Sequence, residues 1–128
     1  DVASKCGYTY QYKDLQELHE KYGDKVAVLG FPSNDFLYQE PGDNKKIKNF
    51  CSVNYGVTFP MFSKVKVKKK ESQHPIYTWL SNNVLNSKID NAPSWNFCKY
   101  LLDEKGQIIG YFNSKVNPMD EQIIKHLK

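Results

Sequence analysis

Val26-Ala27-Val28-Leu29-Gly30-Phe31 is a continuous apolar run of strand length, and it suits a strand buried on both faces. Upstream, Gln11 to Tyr22 carries Leu15, Leu18 and Tyr22 at helical intervals, with Gly23 placed to end the helix in a left-handed turn. Before that helix stands the apolar stub Val2-Ala3. Strand, helix, strand in this order predicts a parallel crossover unit. Pro32 to Gly42 is polar and turn-rich. It reads as a loop leaving the carboxyl end of the strand, where open α/β sheets place their sites.

Asp43 or Asn44 can cap a second helix, with Ile47, Phe50 and Cys51 facing inward and a stop near Gly56. Phe59-Pro60-Met61-Phe62 begins another strand, and Lys64 to Lys70 alternates before its lysines accumulate. Lys66, Lys68, Lys69 and Lys70 fit an exposed strand edge, where charge discourages pairing, or a patch for an acidic partner or lipid headgroup. Pro75 opens a short helix, and Ser81 to Ser94 is a polar, Asn-rich loop. Trp95 to Leu102 and Gln107 to Phe112 flank Asp103-Glu104-Lys105-Gly106 as a hairpin. Pro118 starts the last helix, whose inner face carries Ile123, Ile124 and Leu127. The sum is an α/β chain with a mixed central sheet and helices on both sides. Its closing antiparallel hairpin makes it look like the thioredoxin architecture.

The 128 residues fit one domain, with 40% hydrophobic and 25% charged residues as in ordinary soluble proteins. No apolar run approaches membrane-spanning length and no signal-peptide pattern opens the chain, so a cytoplasmic location is expected. All 18 basic residues are lysine, so the net charge of +4 comes without any guanidinium fork. That argues against dedicated nucleic-acid binding. Cys6, Cys51 and Cys98 form no CxxC and keep no ligand spacing with His19, His74 or His126. Neither a structural zinc site nor a secreted disulfide scaffold is expected, and no cofactor is implied.

Ser4-Lys5-Cys6-Gly7-Tyr8-Thr9 puts a cysteine in a small polar turn before the first helix. Peptide N–H groups at such a turn favour thiolate over thiol. A cysteine that merely lines the core is the alternative reading of the residue alone. Fold by itself names no activity.

Val2-Ala3-Ser4-Lys5-Cys6-Gly7-Tyr8-Thr9, Leu29-Gly30-Phe31-Pro32-Ser33-Asn34, Gln39-Glu40-Pro41-Gly42, Asn54-Tyr55-Gly56-Val57-Thr58-Phe59-Pro60-Met61-Phe62 and Trp95-Asn96-Phe97 together resemble the glutathione peroxidase family. The resemblance runs nearly end to end. It implies a thioredoxin-like fold and a catalytic tetrad of Cys6, Gln39, Trp95 and Asn96, in a member with cysteine where some relatives carry selenocysteine. A free thiol with pKa near 8.5 is about 3% ionised at neutral pH. Full ionisation adds a factor of roughly thirty, about 2 kcal/mol, and lowers the nucleophilicity of the sulfur. Donors aimed at the oxygen that leaves the O–O bond therefore have more to contribute. Gln39, Trp95 and Asn96 supply N–H groups without charge.

Attack on a hydroperoxide leaves Cys6 as a sulfenic acid that a second thiol must resolve. The resemblance assigns that role to Cys51, on the helix after the Gln-Glu-Pro-Gly loop, and implies local unwinding when the Cys6–Cys51 disulfide forms. It also implies thioredoxin as reductant, since relatives specialised for glutathione hold it with arginines. A glutathione-dependent peroxidase and a peroxide sensor relaying its disulfide to a client are the alternatives. Cys98 carries no assigned role. Ser33 replaces a common cysteine, and Asp35 and Leu37 depart from the usual Gln and Gly. The short Ser81 to Ser94 segment resembles monomeric members with open sites for lipid hydroperoxides. Residues 1–128 are thus read as one domain lacking the usual N-terminal hairpin and most of the first central strand.

Overall fold

The computed structural model describes residues 1–128. Its elements are α1 Gln11–Tyr22, α2 Asn44–Tyr55, α3 Pro75–Leu80, α4 Asn83–Asn86, β1 Lys99–Leu102, β2 Ile108–Phe112 and α5 Glu121–Ile124. β1 and β2 pair antiparallel with an irregularity between Leu101 and Leu102. The sheet proper has these two strands only, and the expected mixed central sheet is otherwise reduced to single contacts between extended segments: Phe97 N–H donates to the Asp1 carbonyl at 2.8 Å, Val2 bridges Pro32 in parallel, and Gly30 bridges Met61 in parallel. The result is a thioredoxin-like α/β layer of mixed direction. No helix is long and apolar enough to cross a membrane.

Two apolar clusters flank this layer. Val2, Val28, Phe59 and Phe97 meet Tyr12, Leu15 and Leu18 of α1, Ile47 and Cys51 of α2, and Ile124 of α5. Phe36, Val67 and Ile108 meet Tyr77 and Leu80 of α3. Val26 and Val28 serve the first cluster and Phe31 the second. Alternation of side chains along extended backbone therefore puts the clusters on opposite faces.

The helices follow local rules. Tyr12, Leu15 and Leu18 form the buried stripe of α1, at intervals that line one helical face. Asp43 caps α2 by accepting the Lys46 N–H at 2.8 Å, and Gly56 ends it at φ 60°, where glycine carries no Cβ penalty. Gly23 differs from expectation, since it stays right-handed at φ −61°. A Cβ there would lie 2.5 Å from the His19 carbonyl oxygen, so close approach and not handedness requires the glycine. α5 begins after Asp120, whose carboxylate accepts the Gln122 N–H at 2.8 Å, and not at Pro118. An acidic cap satisfies a free helix donor that proline leaves open.

Strand expectations need larger corrections. The run from Val26 to Phe31 is not buried on both faces: Val28 and Gly30 are buried while Ala27 and Leu29 are exposed. Its bridge at Gly30 is single, and residues 26–29 border an apolar cleft of about 520 Å³ shared with Tyr100, Leu101 and Leu102. Without a neighbouring backbone there is no ladder to form. Phe59 to Phe62 is likewise reduced to the bridge at Met61. Lys64 to Lys70 forms no strand edge at all. The N–H groups of Val67 and Lys68 both donate to Asp35 Oδ2, at 2.7 and 3.0 Å. One buried carboxylate takes the place of a partner strand. The Asn-rich loop contains α4, capped by Asn82 and anchored by Asn86, whose side-chain amide donates to the carbonyls of Trp79, Leu80 and Ile89.

Candidate active site

From Cys6 the backbone winds into α1 through successive short turns, with Thr9 N–H donating to the Cys6 carbonyl and Gln11 N–H to that of Tyr8. Thr9 fixes this turn. Its hydroxyl accepts the Cys6 N–H at 2.8 Å and donates to the Ala3 carbonyl at 2.9 Å. The Cys6 side chain is half-buried, and its Sγ accepts the Tyr8 N–H at 3.4 Å. A sulfur that is reachable, and already faced by an amide donor, has the geometry nucleophilic chemistry needs.

Gln39 and Asn96 are 57 positions apart, yet Asn96 Nδ2 donates to Gln39 Oε1 at 2.9 Å. The Gln39 carbonyl in turn accepts the Lys5 N–H at 2.9 Å. Two backbone-anchored amides are thereby held against the residue next to Cys6. Each amide retains N–H capacity, since a carboxamide carries two donors. Trp95 stacks at an angle on Phe36, with ring centroids 5.5 Å apart. None of the three side chains bonds to Cys6 Sγ, which is held by Tyr8 alone. Gln39 and Asn96 are brought together, and Trp95 adjoins the pair through the chain.

The backbone around these amides is strained. Leu37 and Tyr38 take φ values of 51° and 54° immediately before Gln39, and Phe97 takes 66° immediately after Asn96. Such values cost a residue with a Cβ roughly 1–2 kcal/mol, and strain of this kind gathers at functional sites. Leu37 is 74% exposed, so little packing compensates it. Leu37→Gly is therefore expected to stabilise the fold by about 0.5–1 kcal/mol, after the entropy that glycine adds to the unfolded chain is subtracted. Denaturant midpoints measure this. Leu37→Ala is the control, since its Cβ meets the same clash and should gain nothing.

Asp35 belongs to the site's support, and sequence reasoning gave it no role. Its carboxylate ties the Gln39 loop to Val67 and Lys68 and lies 4.0 Å from Lys70 Nζ. The signal was there in the substitution at that position. A carboxylate ahead of a lysine-rich segment has partners that a carboxamide lacks.

Cys51 is buried within α2, packed in the same cluster that Cys6 borders. Burial pushes its thiol up to about 11, partly offset by the Tyr12 hydroxyl beside it. Cys98 is also buried, but its Sγ lies 3.1 Å from the Tyr111 hydroxyl and within 4 Å of the Ser94 and Ser114 hydroxyls. Burial acts to raise its pKa. Those contacts, with the N–H groups of Trp95 and Ser94, outweigh burial and leave the thiol below its ordinary range.

Comparison with known proteins returns a consistent set. A family model described as glutathione peroxidase matches residues 1–81. The chain is similar to the glutathione peroxidase homolog BsaA of Bacillus subtilis (strain 168), 44% identical over 131 residues, covering 100% of this chain and 81% of the relative. It is also similar to glutathione peroxidase-like peroxiredoxin 2 of Saccharomyces cerevisiae, 42% identical over 126 residues, with 96% and 77% covered. Among solved structures, one described as Trgpx in apo form superposes with a TM-score of 0.68 at 33% identity, covering 98% of this chain and 76% of that one.

Proposed function

The chain belongs to the glutathione peroxidase family, and from that premise we propose that it reduces hydrogen peroxide and organic or lipid hydroperoxides at Cys6. The Cys6 thiolate attacks one peroxide oxygen, the O–O bond breaks, and the departing oxygen takes a proton and leaves as water from hydrogen peroxide or as an alcohol from an organic hydroperoxide. Gln39, Asn96 and Trp95 donate N–H groups to the oxygen that gains charge, which stabilises the transition state without a fixed cation. Cys6 is left as a sulfenic acid. Cys51 then forms a disulfide with it and water departs, after which thioredoxin reduces the disulfide by thiol exchange.

The observation that carries this reading is the Asn96–Gln39 hydrogen bond, anchored to Lys5 beside the nucleophile. Two amides with nothing else to hold would not otherwise need so strained a backbone. The absence of arginine from the sequence favours a protein reductant over an anionic tripeptide. The shortness of the Ser81 to Ser94 segment, in which the chain resembles monomeric members with open sites, favours a monomer that admits bulky substrates.

Steady-state hydroperoxide reduction with thioredoxin and with glutathione, supplied separately, tests the reading. Turnover with thioredoxin should exceed that with glutathione by at least roughly tenfold, or about 1.4 kcal/mol of transition-state preference. Equal rates would remove thioredoxin as the specific donor, and no turnover with either would remove the peroxidase itself.

A further inference from the structure

The run Lys64-Val65-Lys66-Val67-Lys68-Lys69-Lys70 carries five lysines in seven positions and no acid, and the proposed reaction uses none of them. The chain folds this run against the loop that holds Gln39. Lys70 Nζ lies 4.0 Å from Asp35 Oδ1, Lys68 Nζ stands 5.1 Å from the centre of the Phe36 ring, and Lys64 Nζ donates to the Glu40 carbonyl at 2.9 Å. Cations thus bracket both ends of residues 35–40. Between them, Leu37 and Tyr38 are 74% and 79% exposed. Of the two acids in this loop, Asp35 is spent on Lys70 and two backbone N–H groups, and Glu40 is buried. Lys66, Lys68 and Lys69 are exposed and join no ion pair; Glu71, next in the chain, is the one exposed acid that adjoins them.

The tip of the loop costs the free protein twice. Its two residues hold left-handed backbone at φ 51° and 54°, which a Cβ disfavours, and they hold apolar surface in water. A bilayer interface takes such a tip, with leucine at the acyl boundary, tyrosine at headgroup depth and ammonium groups among the phosphates. The choice of cation points the same way. Carboxylates or phosphates fixed on a protein are best met by the guanidinium fork, and this chain has no arginine. Lysine, a point charge on a long flexible stem, suits a fluid layer of headgroups. The tip also adjoins the site, since Tyr38 precedes Gln39, whose carbonyl accepts the Lys5 N–H one residue from Cys6.

We propose that the Leu37-Tyr38 tip and the lysines of residues 64–70 form a docking surface for a bilayer that contains anionic phospholipid. Docking there lays the loop that carries Gln39 on the membrane, so that hydroperoxides of lipid chains reach Cys6 without leaving the bilayer. That consequence rests on the peroxidase reading given above, whereas the binding itself does not.

Cosedimentation of the full chain with vesicles of phosphatidylcholine alone, and with vesicles of equal parts phosphatidylcholine and phosphatidylserine, tests the binding. The parent should bind the mixed vesicles at least roughly tenfold more tightly, and added salt should weaken that binding. Lys66→Gln, Lys68→Gln and Lys69→Gln combined should lower it on the order of a hundredfold, at roughly fivefold per lysine. Leu37→Asn with Tyr38→Asn keeps residues that tolerate left-handed backbone, and should lower it on the order of tenfold through lost apolar contact. Thioredoxin-coupled reduction then separates the two readings. The triple lysine variant should match the parent on hydrogen peroxide in solution, and should lose at least roughly tenfold on phosphatidylcholine hydroperoxide carried in mixed vesicles. A parent that binds neither vesicle or both alike, or a triple variant that binds mixed vesicles as the parent does, overturns the docking surface. A triple variant that keeps vesicle binding but loses turnover on hydrogen peroxide overturns it too, and assigns the lysines to the protein reductant. A parent that binds as expected yet reduces neither substrate supports the bilayer surface and overturns the peroxidase reading.

Discussion

Serine in place of Cys6 is expected to lower hydroperoxide reduction by roughly four orders of magnitude or more, the scale on which loss of a covalent nucleophile is felt. A hydroxyl is essentially un-ionised at neutral pH and a poor nucleophile toward peroxide oxygen. The architecture should not notice the change. Serine Oγ can accept the Tyr8 N–H that Sγ now accepts, and Thr9 holds the turn from both sides through backbone groups. A cooperative unfolding curve close to the parent's, combined with lost peroxide consumption, is the expected result. Activity retained within tenfold would move the chemistry to another thiol. Cys98, with its depressed pKa, would then be the sulfur to pursue.

Cys51→Ser is expected to divide the catalytic cycle. The first turnover, read as peroxide consumed per protein, should run at the parent rate, because Cys51 contributes nothing to O–O cleavage. Turnover with thioredoxin should then fall by at least roughly a hundredfold, since a disulfide exchange partner no longer forms. A stable Cys6 sulfenic acid should accumulate. Since Cys51 is only 1% exposed, a serine hydroxyl there enters an apolar cluster at a cost of about 1–3 kcal/mol. Cys51→Ala removes that concern and should give the same kinetic split. Parent-rate turnover in both variants would make Cys51 a core residue and nothing more. In the parent, attack by Cys51 is expected to open part of α2. The Gly56 N–H bond to the Ser52 carbonyl and the Val57 N–H bond to the Cys51 carbonyl are the ones expected to yield.

Local chemistry made the helices legible. Leu15 and Leu18 announced the buried face of α1, Asp43 and Gly56 the ends of α2, and Asp103 to Gly106 the hairpin turn. Pairing between strands is a non-local matter, and there pattern alone misled. The apolar run at Val26 looked like a doubly buried strand, but extended backbone forms a ladder only where another backbone meets it. Alternation at Lys64 to Lys70 invited a strand edge, whereas Asp35, some thirty positions earlier, captures two of its N–H groups.

The site divides in the same way. A cysteine in a turn before a helix is visible to anyone reading the chain. The bond between Gln39 and Asn96 follows no local period and was foreseeable only through motifs. Tyr38 in left-handed geometry was hidden, because its side chain does not advertise that conformation, whereas Leu37 stands where glycine is usual and so carried a signal.

That bond between residues 39 and 96 also bears on the life of the chain before it is finished. A growing polypeptide carries Cys6 ninety positions ahead of Asn96. During synthesis the thiol is therefore without its amide neighbours. If Cys6 is the nucleophile proposed above, its arming waits on translation and docking of the distal segment, and a nascent or misassembled copy is expected to be spared that reactivity.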